Sequence, residues 1–128
     1  KLPRIYGDRE KLAQALHNLV GNAIKYTGNG GSVKITVSES ADGKFLSFAV
    51  SDTGFGISPE DQSKLFNRFA RGSDPRVAKI TGTGLGLSLS REIARLHGGD
   101  IVLTSELNKG STFTLNVPIG RSEQRLAA

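Results

Sequence analysis

Three stretches of this sequence carry side-chain types at spacings suited to chemistry. "VSDTGFGIS", residues 50–58, sets Asp52 directly after a run of β-forming residues and follows it with Gly54 and Gly56. Asp-x-Gly is common turn punctuation: either glycine can supply a positive φ, and the Asp52 side chain can cap the turn. The same carboxylate at a sheet edge can accept a hydrogen bond from an exocyclic amine, which adenine has and guanine lacks at that position. "HNLVGNAIKYT", residues 17–27, puts Asn18 and Asn22 at i and i+4, with Lys25 about one turn on. Amide oxygens can coordinate a hard cation and an ammonium can meet a phosphate. A solvated helix face tolerates the same residues, although Asn is a poor helix former. "GTGLGL", residues 82–87, opens a helix, so its backbone N–H groups lie at a helix N-terminus where glycine admits a polyphosphate. It lacks the Gly-Lys-Ser/Thr of a Walker loop and is not the dinucleotide Gly-x-Gly-x-x-Gly after a strand. Alone it also reads as a flexible loop before a helix. Taken together, the three stretches are the parts of a nucleotide site.

The elements that must position them alternate along the chain. Asp8 is a good N-cap for a helix running to Thr27 and stopped by Gly28. On its wheel, with roughly 100° per residue, Leu12, Ala13, Leu16, Leu19, Val20, Ala23 and Ile24 form a broad apolar arc. Lys11, Gln14, Asn18, Asn22 and Lys25 form a polar stripe opposite. Residues 32–40 and 45–52 read as strands joined by the turn 41–44. Ser58 and Pro59 start a short helix over "SPEDQSKLFNRFA". Residues 71–84 have no regular period and read as a long loop, and 85–99 as a helix with a glycine C-cap. "DIVLTSEL" and "STFTLNVPI" are strands around the turn "NKG". The expected fold is a two-layer α/β sandwich: a mixed, mainly antiparallel sheet with helices packed on one face. Residues 1–120 form one domain, and 121–128 read as a tail.

Composition narrows the class. A chain of 128 residues suits one domain with a real core. The sequence has no cysteine, which excludes disulfides and thiolate metal sites, and it has no run of membrane-span length. The net charge of +5 is spread over scattered Lys and Arg, which suits an anionic ligand. No aromatic-basic interleaving points to nucleic acid. Sixteen glycines is about twice the ordinary share.

The constellation resembles the catalytic ATP-binding domain of sensor histidine kinases over nearly the whole chain. "HNLVGNAIKYT" is similar to that family's N box, "DTGFGI" to its first glycine box, "LFNRF" to its F box and "GTGLGL" to its second glycine box, in the family's order. "LHGGDIVLTSELNKGSTFTLNVP" continues the match. The resemblance implies ATP and Mg²⁺ as cofactors. It implies that Asn22 ligates Mg²⁺, with Asn18 beside it near the phosphates. Lys25 would meet phosphate or ribose, and Tyr26 would pack by the nucleotide. Asp52 would bind the adenine amino group, with Gly54 and Gly56 letting the base lie close. Gly82, Thr83, Gly84, Leu85 and Gly86 would wrap the phosphates under a mobile lid at 71–84. Arg71 would be the lid cation nearest the γ-phosphate, Phe66 and Phe69 would anchor the lid, and Ser111 would sit by the base through water.

Two departures stand out. Ala70 replaces an aromatic residue that the family often carries before the lid arginine. The two histidines, His17 and His97, lack a phosphoacceptor context, and His97 in a helix's last turn suits an imidazolium facing the dipole. The acceptor would therefore lie on a separate histidine-bearing dimerisation domain of the same kinase, with a response regulator downstream. This segment, starting just before the N-box helix, reads as a monomeric, cytoplasmic fragment without membrane contact of its own. Gyrase-type, mismatch-repair and chaperone relatives hydrolyse ATP with a glutamate four residues before the Mg²⁺ asparagine. Asn18 stands there, and an amide is no general base. The reading is a protein-histidine kinase, with a non-catalytic nucleotide-binding module as the alternative.

Overall fold

A computed structural model of the chain describes residues 7–28, 30–64 and 86–119. Asp8 caps helix α1 (Arg9–Lys25) by accepting the Lys11 N–H at 3.1 Å. The helix stops at Lys25, sooner than its periodicity suggests. Its last turn tightens: Tyr26 N–H still reaches the Asn22 carbonyl, while Thr27 N–H turns to Ile24 and the Thr27 hydroxyl bonds back to Ala23. Strands β1 (Val33–Glu39) and β2 (Phe45–Asp52) form the expected hairpin. Its turn is fixed by the Ser40 hydroxyl, which bonds the Asp42 carboxylate and accepts the Phe45 N–H. Ser58 caps α2 (Pro59–Gln62), with Pro59 at the first helical position. The F-box residues expected to extend α2, Phe66 and Phe69 among them, and Ala70 lie outside the described residues. Helix α3 (Gly86–Leu96) is followed by β3 (Asp100–Glu106) and β4 (Gly110–Pro118).

The strands run in the order β1-β2-β4-β3. The sheet was expected to be mixed; among the described residues all three pairings are antiparallel. Alternation sorts the two faces. Leu46, Val50, Ile101, Phe113, Leu115 and Val117 are buried under the helices. The other face carries Ser47, Ser51, Thr112, Thr114 and Asn116, with Ser47 bonded to Asn116 and Ser51 to Thr112 across strands. A polar ladder of this kind lets one face stay in water. Helix α1 lies over β2 and α3 over β3, and the two helices pack on each other.

That helix pairing corrects the expected wheel. The buried line of α1 is Ala15, Leu19 and Ala23, whereas Ala13 is exposed and Ile24 is 63% exposed. The reason is α3, which approaches from the asparagine side: the fully buried Ser90 hydroxyl bonds the Ala15 carbonyl at 3.1 Å. The core arc is therefore rotated toward the polar stripe. Asn18 and Asn22 are half-buried at its border rather than opposite it.

His97 closes the far end of the helix pair. It is buried, its Nε2 accepts the Asp8 N–H at 2.9 Å, and its Nδ1 meets the Ile93 carbonyl at 2.8 Å. An amide can only donate and a carbonyl only accept, so Nε2 carries the lone pair and Nδ1 the proton. Arg91 and Arg95 on α3 both reach Asp100, tying the helix to the start of β3. Such half-exposed pairs contribute about 1 kcal/mol or less. His97→Ala removes the acceptor of a helix-capping amide and leaves a cavity, and should cost about 2–4 kcal/mol. A urea midpoint that does not fall would show that His97 does not join the helices.

Candidate nucleotide site

Asp52 ends β2, where it pairs in register with Ser111 of β4. Its Oδ1 accepts two backbone amides, Gly54 N–H at 2.9 Å and Ser111 N–H at 3.3 Å. The carboxylate is thereby fixed between the turn after β2 and the start of β4, and its other oxygen has no hydrogen bond within the described residues. Burial pushes the Asp52 carboxyl above its ordinary 3.8, and the two amide hydrogen bonds pull it down without cancelling that effect.

The two glycines of this turn have reasons within the chain itself. At Gly54 a Cβ would overlap the Tyr26 carbonyl, because the Phe55 N–H donates to that same oxygen at 3.1 Å. At Gly56 φ is +70°, and a Cβ would overlap the Glu106 carbonyl. The β3–β4 turn closes over the loop: Asn108 N–H donates to the Phe55 carbonyl at 2.6 Å, and Ile57 N–H to the Ser105 hydroxyl at 2.8 Å. Gln62 on α2 adds side-chain donation to the carbonyls of Ile57 and Ser105. Ser111 is buried and its hydroxyl lies 2.8 Å from that of Ser105. Ser105 was missed in the sequence, since a lone serine in an alternating strand carries no signal.

The asparagine stripe meets the second glycine stretch. A Cβ built on Gly86 would lie 3.9 Å from Cβ and Cγ of Asn18 and 4.0 Å from Nδ2 of Asn22. Those are ordinary contacts, and Gly86 has no positive φ, so the folded chain itself does not require glycine there. Lys25 is exposed at the end of α1, and Tyr26 is half-buried as its C-cap. The structure thus brings Asn18, Asn22 and Gly86 together, and separately Tyr26, Gly54, Asp52 and Ser111. Arg71, Gly82, Thr83, Gly84, Leu85 and the loop 71–84 lie outside the described residues.

A four-stranded antiparallel sheet under two packed helices, one starting at a glycine that faces an asparagine stripe, defines the class: a two-layer α/β domain with the helices on one face. The chain belongs to the histidine kinase-, DNA gyrase B-, and HSP90-like ATPase family, whose model matches residues 7–121. It is 38% identical over 117 residues to the sensor histidine kinase WalK of Bacillus subtilis, covering 91% of this chain and 19% of that protein. It is 44% identical over 115 residues to the sensor-like histidine kinase SenX3 of Mycolicibacterium smegmatis, covering 90% of this chain and 29% of that one. The chain therefore spans less than a third of either relative. Among solved structures it is similar to full-length ShkA in complex with AMPPNP, at 34% identity and a TM-score of 0.79 over 94% of this chain and 24% of that one. The nucleotide-free catalytic domain of histidine kinase ThkA matches at 35% identity and a TM-score of 0.75, over 91% and 72%. The fold expected from the sequence is thus the fold of histidine kinase catalytic domains.

The direction of the Asp52 shift sets a pH test. The unfolded chain ionises this carboxyl first, so just above 3.8 the native state holds more proton. Its contribution to stability therefore falls as pH rises through that interval and then levels off. Asp52→Asn keeps a carbonyl oxygen for both amides and loses the titration. Without nucleotide, the stability of the variant relative to wild type should increase with pH across the acid range and then plateau. A difference in urea midpoints that stays constant with pH would contradict the burial of this carboxyl.

Proposed function

We propose that this chain is the ATP-binding catalytic domain of a sensor histidine kinase. It binds Mg-ATP and hands the γ-phosphoryl group to a histidine on a separate dimerisation domain of the same kinase. A response regulator would then take the phosphoryl group, and the domain would work in the cytoplasm as a monomeric unit. No helix among the described residues is long and apolar enough to cross a membrane. The observation that carries the reading is the meeting of Asn18 and Asn22 with Gly86. Two motifs far apart in sequence converge where a helix N-terminus opens, and the glycine there leaves room that the protein does not need.

Each residue then has a task. Asp52 accepts the adenine amine, and its partners Gly54 and Ser111 fix the carboxylate so that little reorganisation is needed on binding. Gly54 and Gly56 keep the loop flat against α1 and β3, with Tyr26 beside the base and Ser111 below it. The amides of Gly82, Thr83, Gly84, Leu85 and Gly86 would meet the phosphates, joined by Lys25. Arg71 meets the γ-phosphate as it leaves.

The donor set fits Mg²⁺. Among the described residues no group of three or more His, Cys, Asp or Glu could hold a metal. The protein would therefore offer the Asn22 amide oxygen, with substrate phosphates and waters completing the shell, an arrangement that Mg²⁺ favours. When bound, the ion supplies charge neutralisation to the phosphates. Asn18 stands in the position of a hydrolytic base and cannot take a proton from water. Phosphoryl transfer asks mainly for positioning and charge neutralisation, so an external histidine is the better acceptor.

The test mixes the chain with a separate histidine-bearing domain and γ-labelled ATP. The chain alone should acquire no acid-labile label on His17 or His97 and should hydrolyse ATP slowly. The mixture should label the acceptor histidine. Asn22→Ala should lower transfer by about a hundredfold or more. It should leave the circular dichroism unchanged, since alanine is the better helix former. Arg71→Ala should reduce transfer more than ADP binding. Self-labelling of the isolated chain, or normal transfer by Asn22→Ala, would sink the proposal. Nucleotide binding with no transfer to any acceptor would leave a non-catalytic binding module.

A further inference from the structure

We propose that Ser105 is a positioning residue for base recognition: it fixes the Ser111 hydroxyl as a hydrogen-bond acceptor beside Asp52. The inference rests on the reading of Asp52 as the group that meets a purine amine. It adds the residue that orients the Ser111 hydroxyl.

The argument is a count of protons and lone pairs. The Ser105 hydroxyl has one proton and two lone pairs. Its proton goes to the Gly110 carbonyl at 3.0 Å, because that carbonyl can only accept. One lone pair takes the Ile57 N–H at 2.8 Å. The second takes the proton of the Ser111 hydroxyl, 2.8 Å away. The opposite assignment, with Ser105 donating to Ser111, would withdraw the proton from the Gly110 carbonyl. Ser111 has therefore committed its only proton, and its oxygen retains lone pairs alone. Strand register places Ser111 directly opposite Asp52, and its backbone N–H already bonds the Asp52 carboxylate. Two acceptors thus project from paired positions on the same face of the sheet.

An exocyclic amine matches that pair, since it brings two N–H groups and its nitrogen lone pair is delocalised into the ring. One N–H can meet Asp52 and the other Ser111, directly or through one water. A 6-oxo purine presents an acceptor to two acceptors. It is disfavoured at both positions, as a site built for one hydrogen-bonding pattern rejects the analogue that lacks it. The clamp on Ser105 is not local. Gln62 donates to the Ser105 carbonyl and Ile57 to its hydroxyl, so the loop after Asp52 and the strand bearing Ser105 move together.

The experiment measures ATP and inosine triphosphate affinities by calorimetry for wild type, Ser105→Ala, Ser111→Ala, the double variant and Asp52→Asn. Inosine triphosphate differs from ATP at the exocyclic position by a carbonyl in place of the amine, and it brings a ring N–H with it. Ser105→Ala frees the Ser111 hydroxyl to donate, so preference for ATP should fall by about three- to tenfold. In the Ser111→Ala background the same change should leave the preference unaltered, which a loosened Ile57 loop alone would not produce. Ser105→Thr, which retains the hydroxyl, should restore it. Should Ser105→Ala not fold by circular dichroism, Ser105→Cys takes its place in every arm, its thiol being a weak acceptor. An unchanged preference, or one that falls equally with and without Ser111, overturns the role of Ser105. If Asp52→Asn keeps the wild-type preference, it is the amine reading at Asp52 that fails, whatever the serines do.

Discussion

The site depends on one close crossing of backbone. The Phe55 N–H reaches the Tyr26 carbonyl at 3.1 Å, which joins the end of α1 to the turn after β2. The crossing is open only to glycine at position 54, because any Cβ would occupy the carbonyl's place. Asn22 lies one helical turn before Tyr26, and Asp52 two residues before Gly54. The distance between the asparagine stripe and the carboxylate is therefore set by main chain, which varies less than side-chain contacts do. A hydrogen bond of this kind contributes only about 1 kcal/mol net. Its importance is geometric, since it fixes the end of α1 against the turn after β2 by main chain alone.

Polar groups are used here to lock the helices as well as to bind. Ser90 on α3 and His97 just past its end are both buried, and each bonds the backbone at the α1 side of the helix pair, Ser90 at Ala15 and His97 at Asp8. Buried hydroxyls and imidazoles are costly unless satisfied, and both are satisfied, as no buried side-chain nitrogen or oxygen among the described residues is without a partner. The register of α3 against α1 is thereby specific rather than merely apolar. Gly86 lands opposite Asn18 and Asn22 as a consequence, and a shift of one residue along α3 would break both contacts at once.

Asp52 shows the opposite use of burial. Two backbone amides hold the carboxylate in place, yet burial still outweighs them and raises its proton affinity. A charge drawn partly out of water and left with an acceptor oxygen to spare is a poor choice for stability. It is a sound arrangement for receiving a polar donor, because an amine bound there meets a charged acceptor in a less screened setting. Asp100 is the contrast. Its partial burial is outweighed by the Ile101 N–H and by Arg95 and Arg91, which hold the carboxyl below its ordinary value.

Much of the fold was legible in the sequence because its signals are local. Asp8 and Ser58 cap where expected, β2 spans the expected residues, and the β-alternation sorts buried from exposed side chains. The motif order was enough to indicate the family, since four short patterns in sequence order need no geometry to be read. Tertiary structure decided what depends on partners. The helix wheel put Ala13 and Ile24 inside and the asparagines opposite the core. A wheel knows the angles of one helix but not the direction from which α3 arrives. His97 gave no sign in the sequence of its partner, the Asp8 amide 89 residues away, whose N–H its Nε2 accepts. Gly54 and Gly56 read as room for a base. The structure shows them first as room for the chain's own carbonyls, because close approach between distant backbones leaves no trace in composition or period.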